Sequence, residues 1–208
     1  MQISDLHFKE TDDFAADHIR SRMIDVVARI QQAPGAAPLD LIFVVGDIAY
    51  SGKPKEYHKA KDFFDKLISA AQIRKEQLFM VPGNHDVDRS TGRWLLRGLT
   101  DAEQSHGFFT DLMDDKERAF HLRKFAAFHE FHDDYFKCCD ARYLLKNSKG
   151  SCADVITVDV RGTKIAVLRV NSAIFAQDDE DERVKMWIGH PCVDRAVTQL
   201  RSEEHTSE

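Results

Sequence analysis

The stretch that decides the fold is Leu39-Asp40-Leu41-Ile42-Phe43-Val44-Val45-Gly46-Asp47. Its apolar run has the length of a strand, and nearly continuous apolar runs are typical of parallel strands that are buried on both faces. Gly46 ends the run, and a carboxylate follows at once. The stretch therefore predicts a buried parallel strand with an acidic side chain at its carboxyl end.

Amphipathic helices are predicted on both sides of this strand. Apolar residues recur at helical spacing over residues 15–32 and again over residues 56–71. Short apolar segments at residues 1–4 and 78–81 add a strand before the first helix and another after the second. This alternation predicts right-handed crossovers onto a mostly parallel sheet, with ligands beyond the carboxyl ends of its strands.

The rest of the chain departs from that alternation. Residues 88–150 predict a mainly helical insertion whose aromatic stripe packs into the core. Two apolar runs then flank Arg161-Gly162-Thr163, which is a β-hairpin signature. We therefore predict an α/β fold in which one domain spans residues 1–200 and includes a second, antiparallel part of the sheet system.

Composition narrows the class of protein. A chain of 208 residues with 43% hydrophobic residues suits one globular domain. The net charge of -6 leaves no basic stripe for a nucleic acid, and no apolar stretch approaches the length of a membrane span. Four cysteines without CxxC spacing are predicted to be reduced thiols. These features predict a soluble cytoplasmic protein.

Polar side chains with the chemistry of metal ligands follow the first two strands. Asp5 and His7 are two residues apart, so an extended chain would direct both side chains to the same face. A carboxylate oxygen beside an imidazole nitrogen suits Zn, Mn or Fe, whereas Ca and Mg favour shells of oxygen alone. Asp47 has two carboxylate oxygens and can bridge two ions.

The third strand end adds a neutral ligand and a titratable group. The amide oxygen of Asn84 can bind a cation without adding negative charge. His85 is next in sequence and would face a substrate, and Asp86 follows it. Taken singly, Asp47, Asn84 and Asp86 are more often turn formers or helix caps. Three strand ends that deliver such groups in succession favour a metal site instead.

Three segments, Asp5-Leu6-His7, Gly46-Asp47 and Gly83-Asn84-His85-Asp86, closely resemble the D-x-H, G-D and G-N-H-[DE] motifs of the calcineurin-like metallophosphoesterase superfamily. The resemblance implies an α/β/β/α sandwich with mixed sheets. It also implies a site with two divalent metal ions (Mn, Fe or Zn), which activates a hydroxide for attack on a phosphoric ester.

The resemblance also assigns a role to each site residue. Asp5 and His7 would hold the first metal, Asp47 would bridge, and Asn84 would hold the second. His85 would act at the leaving-group oxygen or stabilise the transition state, and Asp86 would orient its imidazole. The expected function is a metal-dependent hydrolase of phosphodiesters or phosphomonoesters. A small phosphoester is the favoured substrate, and a nucleic acid is less favoured.

The chain departs from the family pattern after Trp187, where the resemblance implies a further His and a G-H-x-H segment. The only later histidines are His190 and His205, and His190 stands too close to Trp187 to be expected as a ligand. Residues 201–208 resemble a translated sequencing-library adapter. We therefore expect a domain that is incomplete at its C-terminus and carries a non-native tail. The alternative function is a non-catalytic metal-binding or interaction fragment.

Overall fold

Three short parallel strands position the loops that carry the predicted site residues. In this computed structural model, the described residues are 1–11, 14–92, 115–145, 152–176, 186 and 188–205. Strand β1 spans Gln2–Ile3, β2 spans Ile42–Val45 and β3 spans Leu78–Val81, and they lie in the order β1-β2-β3. Both neighbouring pairs are parallel. The predicted parallel arrangement of these strands is confirmed.

Two long helices connect the three strands and cover one face of the sheet. Helix α1 spans Phe14–Gln32 and α2 spans Pro54–Ala71. Their inward side chains form a core with the sheet, because apolar residues at helical spacing lie on one face of each helix. Buried members of this core include Phe8, Val27, Val44, Phe64, Leu67 and Met80.

Helices also occupy most of the described part of the region between residues 88 and 150. They are α3 at Arg89–Gly92, α4 at Asp115–Leu122 and α5 at Ala126–Phe136. Helix α5 packs against α2, where Phe131 stacks on Tyr57 at 5.0 Å between ring centroids. The aromatic side chains of α5 therefore belong to the core that α1 and α2 form with the parallel sheet.

An antiparallel hairpin forms the second sheet. Strand β4 spans Ala153–Val160 and β5 spans Thr163–Val170. The two-residue turn between them has positive φ at Arg161 (53°) and Gly162 (80°), which matches the right-handed twist of the flanking strands. The inward face of the hairpin packs on the parallel sheet through a buried cluster of Phe79, Tyr143, Ile156, Val158 and Val167.

A last helix covers the outer face of the hairpin and completes the layers. Helix α6 spans His190–His205 and packs on β4 through Cys192 and Ala196. The order of layers is helices, parallel sheet, hairpin, helix, which confirms the predicted α/β sandwich. We refer to β4, β5 and α6 as the hairpin layer. No helix in the described part of the chain is long and apolar enough to cross a bilayer.

The prediction that the cysteines are reduced thiols is wrong for two of them. Cys152 at the start of β4 and Cys192 in α6 form a disulfide across a sequence separation of 40 residues, whereas Cys138 and Cys139 are free. The pair meets because α6 folds back onto the hairpin. The spacing of cysteines along the chain does not predict that contact.

Candidate metal centre

The predicted ligands converge at the carboxyl ends of the parallel strands. His7, Asp47 and His85 each offer one ligand atom, and these three atoms lie within 4.8 Å of one another. The Oδ1 atom of Asp5 lies 3.6 Å from Nε2 of His7. Asn84 lines the same cavity as Asp5 and Asp47. Residues that are remote in sequence are therefore assembled into one cluster of nitrogen and oxygen donors. We refer to the segments 4–8, 46–52 and 83–88 as the ligand loops.

The ligand loops do not have the extended backbone that we expected. Asp5, His7 and Asp47 all have positive φ, at 59°, 46° and 56°. Residues other than glycine rarely adopt a positive φ, and those that do cluster at functional sites. The assumption of an extended chain at Asp5 and His7 is therefore wrong, although the two side chains do meet.

Backbone hydrogen bonds past the ends of β1 and β2 hold this geometry in place. The amide of His7 donates to the carbonyl of Asp47 at 3.0 Å, and the amide of Phe8 donates to Ile48 at 2.8 Å. The amide of Tyr50 returns a bond to the carbonyl of Phe8 at 3.0 Å. The first two ligand loops are thus bonded to each other.

Arg20 of helix α1 braces the first ligand loop from behind. Its buried guanidinium donates to the carbonyl of Leu6 through Nε (3.2 Å) and Nη2 (3.0 Å), and to the carbonyl of His7 at 3.2 Å. The same group lies over the ring of Phe8 at 4.1 Å. Bonds from a charged donor are stronger than neutral ones. Nothing in the sequence pattern of α1 marks Arg20 for this role.

Two glycines allow the second and third ligand loops to touch. A Cβ added at Gly83 would lie 2.2 Å from Oδ1 of Asp47, and one added at Gly46 would lie 2.8 Å from Cα of Gly83. Neither distance is possible without displacement, so both positions require glycine. Asp47 is therefore held against the backbone that leads into Asn84.

Asp86 is a buried carboxylate that joins these loops to helix α2. It accepts hydrogen bonds from the amides of Ile48 (3.2 Å), Ala49 (2.8 Å) and Gly83 (2.9 Å), and from the hydroxyl of Tyr57 at 2.9 Å. Burial raises the pKa of Asp86 to about 6, and the hydrogen bonds oppose that shift. The expectation that Asp86 orients the imidazole of His85 is not met, because these four donors engage its carboxylate.

The orienting group for His85 is the main chain of Tyr50. Nδ1 of His85 lies 2.8 Å from the carbonyl oxygen of Tyr50. Because a carbonyl only accepts, Nδ1 carries the hydrogen, and Nε2 is left as the ring atom for other partners. The amide of His85 donates to Oδ1 of Asp47 at 3.0 Å, and the rings of His85 and His7 lie 4.5 Å apart.

Comparisons with known proteins identify the family of this chain. The profile of the calcineurin-like phosphoesterase family matches residues 1–194. The chain belongs to this family. It is also 25% identical over 204 residues to YydB, an uncharacterised metallophosphoesterase-like protein of Bacillus subtilis (strain 168). That match covers 91% of this chain and 41% of YydB, so the chain spans about two fifths of the length of this relative.

Membership of the calcineurin-like phosphoesterase family confirms the resemblance in the three motifs and the α/β fold class. It supports a metal-dependent hydrolase of phosphoesters in general terms. The residues of this chain fit a metal by the chemistry of their donors, because one carboxylate and two imidazoles offer ligand atoms within 4.8 Å of one another. Imidazole and carboxylate donors together suit Zn, Mn or Fe.

A cavity of about 330 Å³ opens beside the cluster, between the two sheets. Its lining includes Asp5, Asp47 and Asn84 from the ligand loops and Leu168, Arg169 and Val170 from β5. His7 and His85 are not among its lining residues.

Proposed function

We propose that this protein is a metal-dependent hydrolase of phosphoric esters, with a phosphodiester or phosphomonoester as its substrate. The single observation that carries the proposal is the convergence of His7, Asp47 and His85 within 4.8 Å at the ends of the parallel strands. A three-stranded sheet has no structural need for such a group of donors. The family to which the chain belongs points to the same chemistry.

In this proposal, Asp5 and His7 would hold one divalent ion, Asn84 would hold a second, and Asp47 would contribute to both. Mn, Fe and Zn are the candidates, because the donors are nitrogen and oxygen. Divalent ions in such a site polarise the phosphoryl oxygens and make water a nucleophile at neutral pH. The left-handed backbone at Asp5, His7 and Asp47 pre-arranges these ligands, so little reorganisation is needed when ions bind.

His85 serves as the proton donor at the leaving-group oxygen. Its Nδ1 hydrogen is used by the carbonyl of Tyr50, so the proton for the leaving group comes from Nε2 of the protonated ring. Nε2 then becomes an acceptor, and the bond to Tyr50 holds the ring in place in both states. General acid catalysis of this kind is typically worth about 10²- to 10⁴-fold in rate.

The proposal includes a small phosphoester substrate. A net charge of -6 gives no long-range attraction for a nucleic-acid backbone, which makes a polymeric substrate less favoured. The cations that bind the substrate phosphate would be the metal ions themselves. The same charge pattern offers nothing to recruit an anionic membrane surface.

The test uses the purified full-length protein, treated with chelator and then titrated with Mn²⁺ in a calorimeter. Asp47→Ala is expected to abolish binding of at least one ion and to remove Mn²⁺-dependent hydrolysis of bis(4-nitrophenyl) phosphate and 4-nitrophenyl phosphate. His85→Ala is expected to lower kcat by about 10²-fold or more. His58→Ala, at an exposed position of α2, is the control and should leave both measurements unchanged.

The alternative function, a non-catalytic metal-binding module, gives a different result. It predicts that Mn²⁺ binds and that Asp47→Ala removes this binding, but that no ester is hydrolysed with any of the three metals. Full activity of Asp47→Ala and His85→Ala would show that the assigned roles are wrong.

A further inference from the structure

Tyr50 places an accessible aromatic ring beside the two imidazoles. Its ring centroid lies 5.7 Å from that of His85 and 6.1 Å from that of His7. The side chain is 48% exposed, although the ammonium of Lys9 already lies 4.5 Å from the ring centroid. The Tyr50 hydroxyl makes no hydrogen bond within the described part of the chain, so this large side chain is not held as a core residue is.

The backbone of Tyr50 is fixed even though its ring is exposed. Its amide donates to Phe8, and its carbonyl receives the Nδ1 hydrogen of His85. The adjacent Ala49 forms the parallel bridge with Phe8 and donates to Asp86. The ring is thus carried at a defined place next to His85, and its main-chain role is independent of the side chain.

The position of His85 decides where Tyr50 can act on an ester. In-line displacement puts the nucleophile and the leaving oxygen on opposite sides of phosphorus. A leaving oxygen that takes its proton from His85 must lie at this imidazole, whose ring centroid is 5.7 Å from that of Tyr50. A substituent on that oxygen is therefore within reach of the Tyr50 ring.

We propose that Tyr50 is a specificity-determining residue that stacks on a planar aromatic ring of the leaving group. The biological leaving group with such a ring is a nucleoside, whose base would lie on Tyr50. This inference rests on the proposed function. In the step concerned, water adds to phosphorus and gives up one proton to solvent, and the bond from phosphorus to the leaving oxygen breaks. The leaving oxygen takes its proton from Nε2 of His85, which solvent then protonates again. The stacked base fixes the leaving oxygen at the imidazole while the bond breaks.

The experiment compares two phosphodiesters that differ only by one base. In the first, the leaving oxygen is the 5′-oxygen of adenosine, and in the second it is the 5′-oxygen of the abasic ribose, so the chemistry of the leaving oxygen is matched. With full-length protein and Mn²⁺, the ratio of the two kcat/KM values is expected to favour the adenosine ester by roughly 10-fold, which lies within the range of about 5- to 140-fold that stacking on an aromatic side chain typically contributes.

Two substitutions at Tyr50 isolate the ring. Tyr50→Leu is expected to bring the ratio close to one, because leucine cannot stack, while Tyr50→Phe keeps the ratio. Phe120→Leu is the matched control, because Phe120 is similarly exposed (46%) but lies on helix α4. Its ring contacts His121 and Arg123 and none of the site residues. This control should keep the wild-type ratio.

The outcomes separate the inference from the proposed function. If the wild-type protein hydrolyses neither ester with Mn²⁺, Fe²⁺ or Zn²⁺, the proposed function fails. If it hydrolyses both with a ratio near one, or if Tyr50→Leu slows both equally, the ring has only a structural role and the inference is overturned. Loss of the ratio in Tyr50→Leu together with its retention in Tyr50→Phe supports the inference.

Discussion

The ligand loops and the hairpin layer are stabilised by different kinds of contact. The ligand loops are braced through the backbone, because Arg20 donates to carbonyl oxygens of the first loop and Asp86 accepts from amides of the second and third. Gly83 adds a contact so close that it has no room for a side chain. These contacts fix where the ligand atoms lie.

The hairpin layer is linked instead by side chains. A buried ion pair joins Asp154 to Arg169 across β4 and β5, and the disulfide joins Cys152 to Cys192 between β4 and α6. None of these four residues belongs to the metal-ligand cluster. Changes in the hairpin layer should therefore reduce stability, whereas changes in the ligand loops should reduce metal binding and turnover.

The largest effect is expected from Arg169→Met in the hairpin layer. Arg169 makes two bonds of 2.8 Å to the carboxylate of Asp154 and donates to the carbonyl of Tyr143 at 2.7 Å. Removing one partner leaves a buried carboxylate without its arginine, so the free energy of unfolding should fall by about 3–5 kcal/mol. Urea denaturation measures this loss. Arg161→Met is the control, because the pair of Arg161 with Asp40 is solvent-exposed and worth about 1 kcal/mol or less.

The second prediction concerns the disulfide. Replacing Cys152 and Cys192 together by alanine should lower the free energy of unfolding by about 2–4 kcal/mol, because the unfolded chain loses its cross-link. A reductant should lower the denaturation midpoint of the natural protein but not that of the double variant. Cys138→Ala, at a free and exposed position, should behave like the natural protein. If all four cysteines of the unreduced, unfolded protein react with a thiol reagent, the pairing is wrong.

The third prediction moves to the ligand loops. Gly83→Ala places a methyl group 2.2 Å from Oδ1 of Asp47, so this ligand must shift. A displacement of about 1 Å at a catalytic group can cost about 10²-fold in rate, and we expect a loss of this size in kcat/KM for bis(4-nitrophenyl) phosphate. Gly162→Ala in the hairpin turn meets nothing within 4 Å but has a φ of +80°. It should lose roughly 1 kcal/mol of stability and keep its turnover. Equal turnover in the two variants would remove the distinction between the regions.

The fourth prediction tests the brace behind the first ligand loop. Arg20→Met removes the donors to the carbonyls of Leu6 and His7, so the loop is held less firmly. Groups that orient metal ligands typically contribute about 10-fold or more in affinity, and we expect a loss of that size for Mn²⁺ by calorimetry. Arg20→Lys should recover part of it. Arg22→Met, on the exposed side of the same helix, is the control. An unchanged Mn²⁺ affinity in Arg20→Met would contradict the positioning role.

The smallest effect is a pH dependence that originates in α5, outside both regions. Burial lowers the pKa of His129 from 6.5 to about 4, and burial lowers the pKa of His132 as well. The unfolded chain therefore binds protons that the folded chain excludes, so this stability is complete above pH 6.5 and is lost as the pH falls toward 4. The contribution of these two histidines to the free energy of unfolding should fall by about 1 kcal/mol or more between pH 7 and pH 5, while the raised pKa of Asp86 acts in the opposite direction.

Urea denaturation at the two pH values measures this slope. His129→Gln should make the slope smaller, whereas His58→Gln on the exposed side of α2 should leave it unchanged. If the slope is the same in both variants, His129 does not carry the effect.

Much of the fold could be predicted from local pattern. The apolar runs at β2 and β3, the helical spacing in α1 and α2, and the turn at Arg161-Gly162 each depend on residues that are close in sequence. The ends of the elements were predicted less accurately: residues 39–41 were predicted as strand, but β2 begins at Ile42. Helix α6 continues through residues 201–205, and the prediction of a non-native tail stays untested.

The sequence by itself determined which side chains stand at the strand ends and in what order, because a strand, a glycine and the donor that follows lie within a few residues of one another. The tertiary structure decided how those side chains are held. The left-handed backbone of Asp5 and His7, the orientation of His85 by a carbonyl, and the position of Arg20 depend on hydrogen bonds between segments that are distant along the chain. The spacing of residue types cannot predict such contacts, because every residue has a main-chain carbonyl and none is marked as an acceptor. The partner of Cys152 could likewise be identified only from the packing of α6 on β4, because cysteine spacing does not show which cysteines meet.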